Sequence, residues 1–293
     1  MKTRPNKNRY AAPALEQALK IIDFMSQDGA ERGINEISRE LGISVNMAYR
    51  ILIQLANYGY AELAATGKYR LSTKLFTIGM RLYSRFDLRL RSRPHLEQLC
   101  EATTETCQIQ IPDKDHVIVL DCITPNTDCY LKTVPGSRFY YHANAFGKAI
   151  LAFMEESALY SIIPKKLPVL TKNTITTRQK LLEELDKIRQ TGLAYDREEY
   201  LSGLYCIGAP VFDVNEKVAA GLGITGIISR LTPGYAGTLR QGESDRRHRY
   251  EALVLNCAEQ VSRDIGYEGD QYDKFKKMSA MKKANPLMLK TVV

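Results

Sequence analysis

The stretch from Ile34 to Asn57, INEISRELGISVNMAYRILIQLAN, constrains this chain more than any other. Ile34, Ile37 and Leu41 fall on one face at helical spacing. Gly42 can take the left-handed conformation that closes a helix, and Ser44 stands where the cap of a second helix belongs. In that second helix Val45, Ala48, Ile51, Leu52 and Leu55 share one side, which leaves Asn46, Arg50, Gln54 and Asn57 on the other. The predicted unit is helix, tight turn, helix. Asn pairs bidentately with adenine edges and Arg with guanine edges, so outward Asn46 and Arg50 suit a helix lying in a DNA major groove. The residues expected to meet DNA from this element are Ser44, Asn46, Met47, Tyr49, Arg50 and Gln54. The same spacing also describes a small helical subdomain with a polar face, so the flanking sequence has to decide.

Upstream, Leu15, Ala18, Leu19, Ile22 and Met25 give a helix over residues 14–27 an apolar stripe suited to packing across the helix pair. Downstream, YGYAELAATGKYRLS has strand-like Tyr60 to Leu63 and Tyr69 to Leu71 around a turn containing Gly67. A hairpin directly after a recognition helix forms a wing, and its Lys68 and Arg70 are placed to touch phosphates beside the major-groove contact. Charge agrees with this placement. Residues 1–92 carry 15 Lys and Arg against 8 Asp and Glu, whereas residues 93–273 carry 20 against 25. A basic module tethered to a mildly acidic one fits a nucleic-acid binder with a sensor, because phosphate neutralisation supplies most non-specific DNA affinity.

Residues 73–92 read as a linker helix whose Leu75, Leu82, Tyr83, Phe86 and Leu90 form an apolar stripe. Either a partner chain in a two-fold dimer or the neighbouring domain of the same chain could cover it. Beyond Pro94 the pattern turns to mixed α and β. Strands are expected at 106–111, 116–123, 129–134, 205–212 and 218–228. Helices are expected from Phe146 to Met154, from Arg178 to Thr191 behind a Thr176–Gln179 capping box, and after Ser244. Strand pairs interrupted by helices indicate an α+β domain with a mainly antiparallel sheet. The last twenty residues hold six lysines and no acid, so 268–293 reads as a basic tail.

Five segments in order, namely the helix-turn-helix with wing, TTETCQIQI, VPGSRFYYHANAFGKAILA, GLAYDREEYLSGLYCIGAPVFD and VAAGLGITGIISRLT, resemble the IclR family of bacterial transcription regulators over about residues 14–267. The resemblance implies a winged helix-turn-helix domain at 14–72, a dimerisation helix at 73–92 and a GAF-like effector domain at 93–267 that binds a small metabolite. It implies assembly as a homodimer or a dimer of dimers. It also implies an effector pocket lined by Ala145, Phe146, Asp196, Leu204, Cys206, Gly223 and Thr225, with Phe139 and Tyr140 as further aromatic neighbours. Bulky Phe146 and bare Gly223 depart from the small residue and the hydroxyl expected in family members that bind small carboxylates. Asp196 would repel a carboxylate ligand unless one of the two were protonated, and Phe146 offers a flat apolar wall with few cations in the matched positions, so a hydroxylated sugar acid or an aromatic acid is the expected effector.

The residues favour sensing over catalysis. Cys206 could act as a nucleophile only with a nearby base such as His142, and a buried inert thiol is the simpler reading. Asp196 could instead be a surface residue among Arg197, Glu198 and Glu199. Gly147-Lys148 lacks the earlier glycine and the following Ser or Thr of a phosphate-binding loop, and no GxSxG, HExxH or GxGxxG occurs. The six cysteines and four histidines show no zinc spacing, so neither metal nor cofactor is expected. No apolar run approaches the roughly 18 residues of a membrane span, and no signal-type segment follows the N-terminus, which predicts a cytoplasmic protein. The chain is thus expected to be a repressor that binds double-stranded operator DNA under metabolite control. The alternative is an enzyme with an appended DNA-binding domain.

Overall fold

A computed structural model describes residues 12–83, 87–127, 130–231 and 243–284. The chain divides into two compact units, Met1–Phe86 and Asp87–Val293.

In the first unit, helices α1 (Pro13–Ser26), α2 (Ile34–Leu41) and α3 (Val45–Asn57) are followed by strands β1 (Ala61–Leu63) and β2 (Tyr69–Leu71) and helix α4 (Thr73–Tyr83). The local signals act as their chemistry requires. Gly42 closes α2 at φ +63°, and the Ser44 hydroxyl accepts a hydrogen bond from the Met47 amide at 3.2 Å, capping α3. Ile21, Met25, Ile37, Ala48, Leu52 and Leu55 meet in one core with Ala61 and Tyr69 of the hairpin. A bridge between Arg32 and Tyr69 ties the hairpin to the segment before α2. Val45, expected on the buried side, is exposed, because the first turn of α3 projects beyond this core.

The second unit opens with α5 (Asp87–Thr103), then β3 (Thr106–Asp113), β4 (His116–Ile123), β5 (Arg138–Tyr140), α6 (Ala145–Phe153), α7 (Glu156–Ile162) and α8 (Arg178–Thr191). It continues with β6 (Ala194–Arg197), β7 (Leu204–Phe212), β8 (Val218–Ile227), α9 (Ile228–Leu231), α10 (Glu243–Asp264) and α11 (Gln271–Ala284). The six strands form one sheet in the order β5-β4-β3-β8-β7-β6, with every neighbouring pair antiparallel. Helices α5 and α10 pack together against β3, β4, β7 and β8, while α6 lies across β7 and β8 and is backed by α8. Among the described residues, no helix is long and apolar enough to cross a membrane.

Several expectations are corrected. Of the expected linker helix over 73–92, the described parts are helical, α4 to Tyr83 and α5 from Asp87, with 84–86 outside the described residues, and α5 runs on through Pro94. The proline removes one helical hydrogen bond, but Leu96, Leu99 and Cys100 just beyond it are buried, and that burial holds the helix. Within the expected stripe Leu90 is exposed, while Phe86 and the side chain of Leu82 lie outside the described residues. Residues 130–134 form no strand. A turn with Gly136 at φ +89° moves the pairing with β4 on to Arg138–Tyr140. The cap of α8 is Thr177 rather than Thr176, accepting from the Lys180 amide. The expected tail contains α11, whose Tyr272 and Phe275 are fully buried. The Tyr272 hydroxyl donates to Pro210 O at 2.6 Å, so this segment belongs to the domain core.

Candidate functional site

Two surfaces carry candidate chemistry. On α3, Ser44, Asn46, Met47, Tyr49, Arg50 and Gln54 are all exposed, so the face opposite the core is open along its length. Ser44 is committed to capping. Lys68 is exposed at the hairpin tip, whereas Arg70 donates from Nε to Glu62 at 2.8 Å and lies 3.9 Å from Glu31. Lys68 is therefore the freer of the two for a phosphate.

The second surface is internal. Strand register sets Thr106, Thr225, Cys206 and Asp196 side by side across β3, β8, β7 and β6. Two residues along, the next rung is Gln108, Gly223, Gly208 and Ala194, so alternation puts all of these on one face. The N-terminal turn of α6 rests there. A Cβ on Gly221 would collide with Phe146 O, and one on Gly208 would come within 3.0 Å of the Ala145 backbone. The glycines let the helix end approach the sheet more closely than a side chain would permit. Gly223 has a different role: a Cβ there would strike Ile207 O of the neighbouring strand, so its bareness is a requirement of the sheet.

A chain of hydrogen bonds runs across this face. Asn144 caps α6 by accepting from the Phe146 and Gly147 amides at 2.8 and 3.2 Å, and its own amide donates to Gln110 Oε1 at 3.0 Å. Gln110 donates to Gln108 at 3.0 Å, Gln108 to Thr225 Oγ1 at 2.8 Å, and Thr225 to Cys206 Sγ at 3.3 Å. The thiol in turn donates to Asp196 Oδ2 at 4.0 Å, while Asp196 Oδ1 accepts from the Glu199 amide at 2.7 Å and the Tyr200 amide at 3.4 Å. Glu199 pairs with Lys148 Nζ, one turn along α6 from Asn144, which closes the circuit onto the helix where it began. The side chains of the circuit are buried, including Asp196 at 1% exposure and Lys148 at 0%.

Burial dominates the titration of these groups. Loss of solvent, with Glu199 beside it, pushes the Asp196 carboxyl up to about 7, against the opposing pull of Lys148 and of the two backbone amides. Burial also pushes the Cys206 thiol well above its usual value, with the Asp196 charge adding to the effect. A thiol held protonated is a poor nucleophile. His142 is engaged elsewhere, donating from Nε2 to Pro168 O at 2.9 Å, so it is not the base that a nucleophilic Cys206 would need.

The structure thus brings together Ala145, Phe146, Leu204 and Cys206 in one apolar cluster, with Asp196 and Thr225 joined to Cys206. The reading of Asp196 as a surface residue is set aside by its burial. Phe139 meets the ring of Tyr200 edge to face at 5.1 Å and packs with the core on α6, and Tyr140 lies tilted against His116 at the far edge of the sheet. Sequence reasoning missed Gln108, Gln110, Asn144, Lys148 and Glu199. Signals for some of them were present: two glutamines alternate with Cys107, Ile109 and Ile111 in a central strand, and Lys148 is the single charge in AFGKAILAF.

Comparison with known proteins agrees across the chain. Residues 14–64 match the IclR helix-turn-helix domain, and residues 80–263 match the bacterial transcriptional regulator IclR C-terminal domain. The chain is 30% identical over 258 residues to the HTH-type transcriptional regulator KdgR of Dickeya chrysanthemi, covering 87% of this chain and 81% of that one. Among solved structures, the IclR of Thermotoga maritima superposes with a TM-score of 0.68 at 28% identity, covering 86% of this chain and 98% of its own. An IclR homologue from Microbacterium hydrocarbonoxydans, complexed with 4-hydroxybenzoate, shares the fold at a TM-score of 0.72 and 17% identity, over 86% of this chain and 98% of that one. Matched by both domain models over residues 14–64 and 80–263, the chain belongs to the IclR family of DNA-binding transcription regulators, which are regulators rather than enzymes.

Proposed function

We propose that this regulator is a cytoplasmic repressor that occupies a palindromic operator as a homodimer or a dimer of dimers, and that a small organic acid bound in the C-terminal unit releases it. The observation that carries this reading is the closed polar circuit beneath α6, a set of buried donors and acceptors with no catalytic arrangement among them. The effector would contact Asp196, Thr225 and Cys206 against the apolar cluster of Ala145, Phe146 and Leu204. With its carboxyl pushed up to about 7, Asp196 is partly protonated near neutral pH and can donate to a carboxylate instead of repelling it. A sugar acid or an aromatic acid fits such a site better than a dianion that needs an arginine clamp. The 4-hydroxybenzoate held by the Microbacterium homologue belongs to the same chemical class. The division of the chain at Phe86 supports a DNA-binding unit followed by an effector unit, the latter extended past residue 267 by α11.

Operator release against metabolite concentration tests the pocket. Thermal shift on a panel of sugar acids and aromatic acids identifies a ligand, since a binder raises the melting temperature with concentration. Thr225→Val keeps the volume and removes the hydroxyl, and Asp196→Asn keeps the oxygen that accepts from the Glu199 and Tyr200 amides. Both are expected to raise the concentration needed for release tenfold or more, with ligand-free operator affinity unchanged. Phe146→Ala is the poorer test, because it opens a cavity in a side chain only 1% exposed. Wild-type response in both polar variants would place the effector elsewhere.

The DNA face gives a separate expectation. Arg50→Ala should weaken specific operator binding by about 1–3 kcal/mol and relax preference at one base pair. Lys68→Ala should weaken all sequences alike and reduce the salt slope by about one. Titrations on operator and random DNA at several salt concentrations separate the two. Equal losses for Arg50→Ala on both DNAs would make it a phosphate contact and pass the base-reading role to Asn46 or Gln54.

A further inference from the structure

We infer that the C-terminal unit carries a second small-molecule site, a cleft between β5, the far end of α6, α7 and the start of α8, suited to a single-ring aromatic carboxylate. The cleft has a volume of about 390 Å³ and is lined by Tyr140, Tyr141, His142, Tyr160, Asp115 and Arg178 over a floor of aliphatic side chains that includes Leu151 of α6. That volume suits a ligand of one ring with its substituents. It contains none of Asp196, Cys206 or Thr225, so it is distinct from the effector site proposed above.

Three features define the ligand. The walls are aromatic and aliphatic, with Tyr140 and His142 rings 5.7 Å apart and the Arg178 guanidinium 5.4 Å from the centre of the Tyr160 ring, so a flat apolar body is accommodated. Arg178 is the cation of the lining. Asp115, the acid of the lining, lies 2.9 Å from His116 Nδ1 and 3.9 Å from Arg138, and burial lowers the His142 imidazole from its usual value, which disfavours its cationic form. The third feature is a pair of donors that the protein leaves unsatisfied. Arg178 spends one Nη2 hydrogen on Ile163 O, yet its buried Nε has no acceptor, and the hydroxyl of Tyr141, a residue 4% exposed, has the Asp113 backbone amide beside it but no acceptor for its own proton. Buried donors are rarely left unpaired, and a carboxylate is the group that accepts from a guanidinium and a phenol at once. A ring carrying a carboxylate satisfies all three features, whereas a neutral ring leaves both donors unmet and a small aliphatic dianion leaves the aromatic walls uncovered.

The test is calorimetric titration of the full-length protein with benzoate, and with benzamide as its uncharged isostere. Benzoate is expected to bind at least tenfold more tightly than benzamide both in the wild-type protein and in Asp196→Asn, where the effector site is weakened and one site per chain should still saturate. Tyr141→Phe, which removes only the hydroxyl, should weaken benzoate several-fold and Arg178→Gln tenfold or more, each measured in the Asp196→Asn background so that the cleft is read apart from the effector site. Melting curves identify a variant that fails to fold, and the benzoate-to-benzamide ratio retained in Asp196→Asn reads the cleft without any further variant. The inference is overturned if benzoate does not saturate, if benzamide binds equally well, or if Tyr141→Phe and Arg178→Gln bind like wild type. Loss of benzoate in Asp196→Asn alone would assign the ligand to the effector site, which keeps failure of this inference separate from failure of the proposed function.

Discussion

Lys148→Met is expected to destabilise the C-terminal unit by about 3–5 kcal/mol, the usual cost of removing one partner of a buried ion pair. Lys148 is wholly buried, and its ammonium faces Glu199. Without it Glu199 is an unpaired carboxylate in the core beside Asp196, whose own ionisation Glu199 already disfavours. Adding Glu199→Gln removes the stranded charge, so the double variant should recover more than half of the loss. Urea unfolding followed by circular dichroism measures both. A loss below about 1 kcal/mol for the single variant would put the pair in the range of solvent-screened surface pairs and remove it from the circuit beneath α6.

Asp196→Asn should change how stability depends on pH. The Asp196 carboxyl sits at about 7 in the folded chain against an ordinary value of 3.8. Below 3.8 both states are protonated and the group contributes nothing. Between 3.8 and 7 the unfolded chain has released its proton while the folded chain keeps it, so folding stability falls as pH rises. Above 7 both are ionised and the penalty is constant. Asn cannot ionise, so the variant should gain on wild type by up to roughly 1.4 kcal/mol per pH unit through this window and then hold level. Glu105, also raised to about 7 by burial, titrates in both proteins and cancels in the comparison. Unfolding curves from pH 4.5 to 8 provide the measurement. A difference that does not vary with pH would show that water or Lys148 solvates the ionised carboxylate fully.

The first unit was legible because each of its elements is marked locally. Gly42, Ser44 and the 3.6-residue period of Ala48, Ile51, Leu52 and Leu55 act within a few residues of themselves, and the structure uses them as the chemistry dictates. The strands at 106–111, 116–123, 205–212 and 218–228 were legible for the same reason. The errors arose where partners are distant. No local feature of CYLKTV reports that β4 takes Arg138–Tyr140 instead, and lysines around Tyr272 and Phe275 resemble a solvated tail until the core that receives them is known. The site showed the same division. Cys206, Asp196 and Thr225 lie far apart in sequence and meet through register, and the glutamines that join them to α6 carry no motif.

Under the proposed function, the circuit through Asn144, Thr225, Asp196, Glu199 and Lys148 sets how finely this protein can grade its response. Each member spends its hydrogen-bonding capacity on the next, and α6 is fastened at its cap and again one turn on. Releasing one link strands a buried polar group on each side of the break, so intermediate positions of the helix end cost more than either extreme. Where the backbone approaches as closely as it does at Gly208 and Gly221, a small slide meets steric resistance as well. A ligand strong enough to open the circuit must supply replacements for several bonds at once, and one that is too weak leaves every bond in place. Individual molecules should therefore report the ligand as present or absent, and a graded transcriptional output would come from the fraction of molecules switched rather than from how far each has moved.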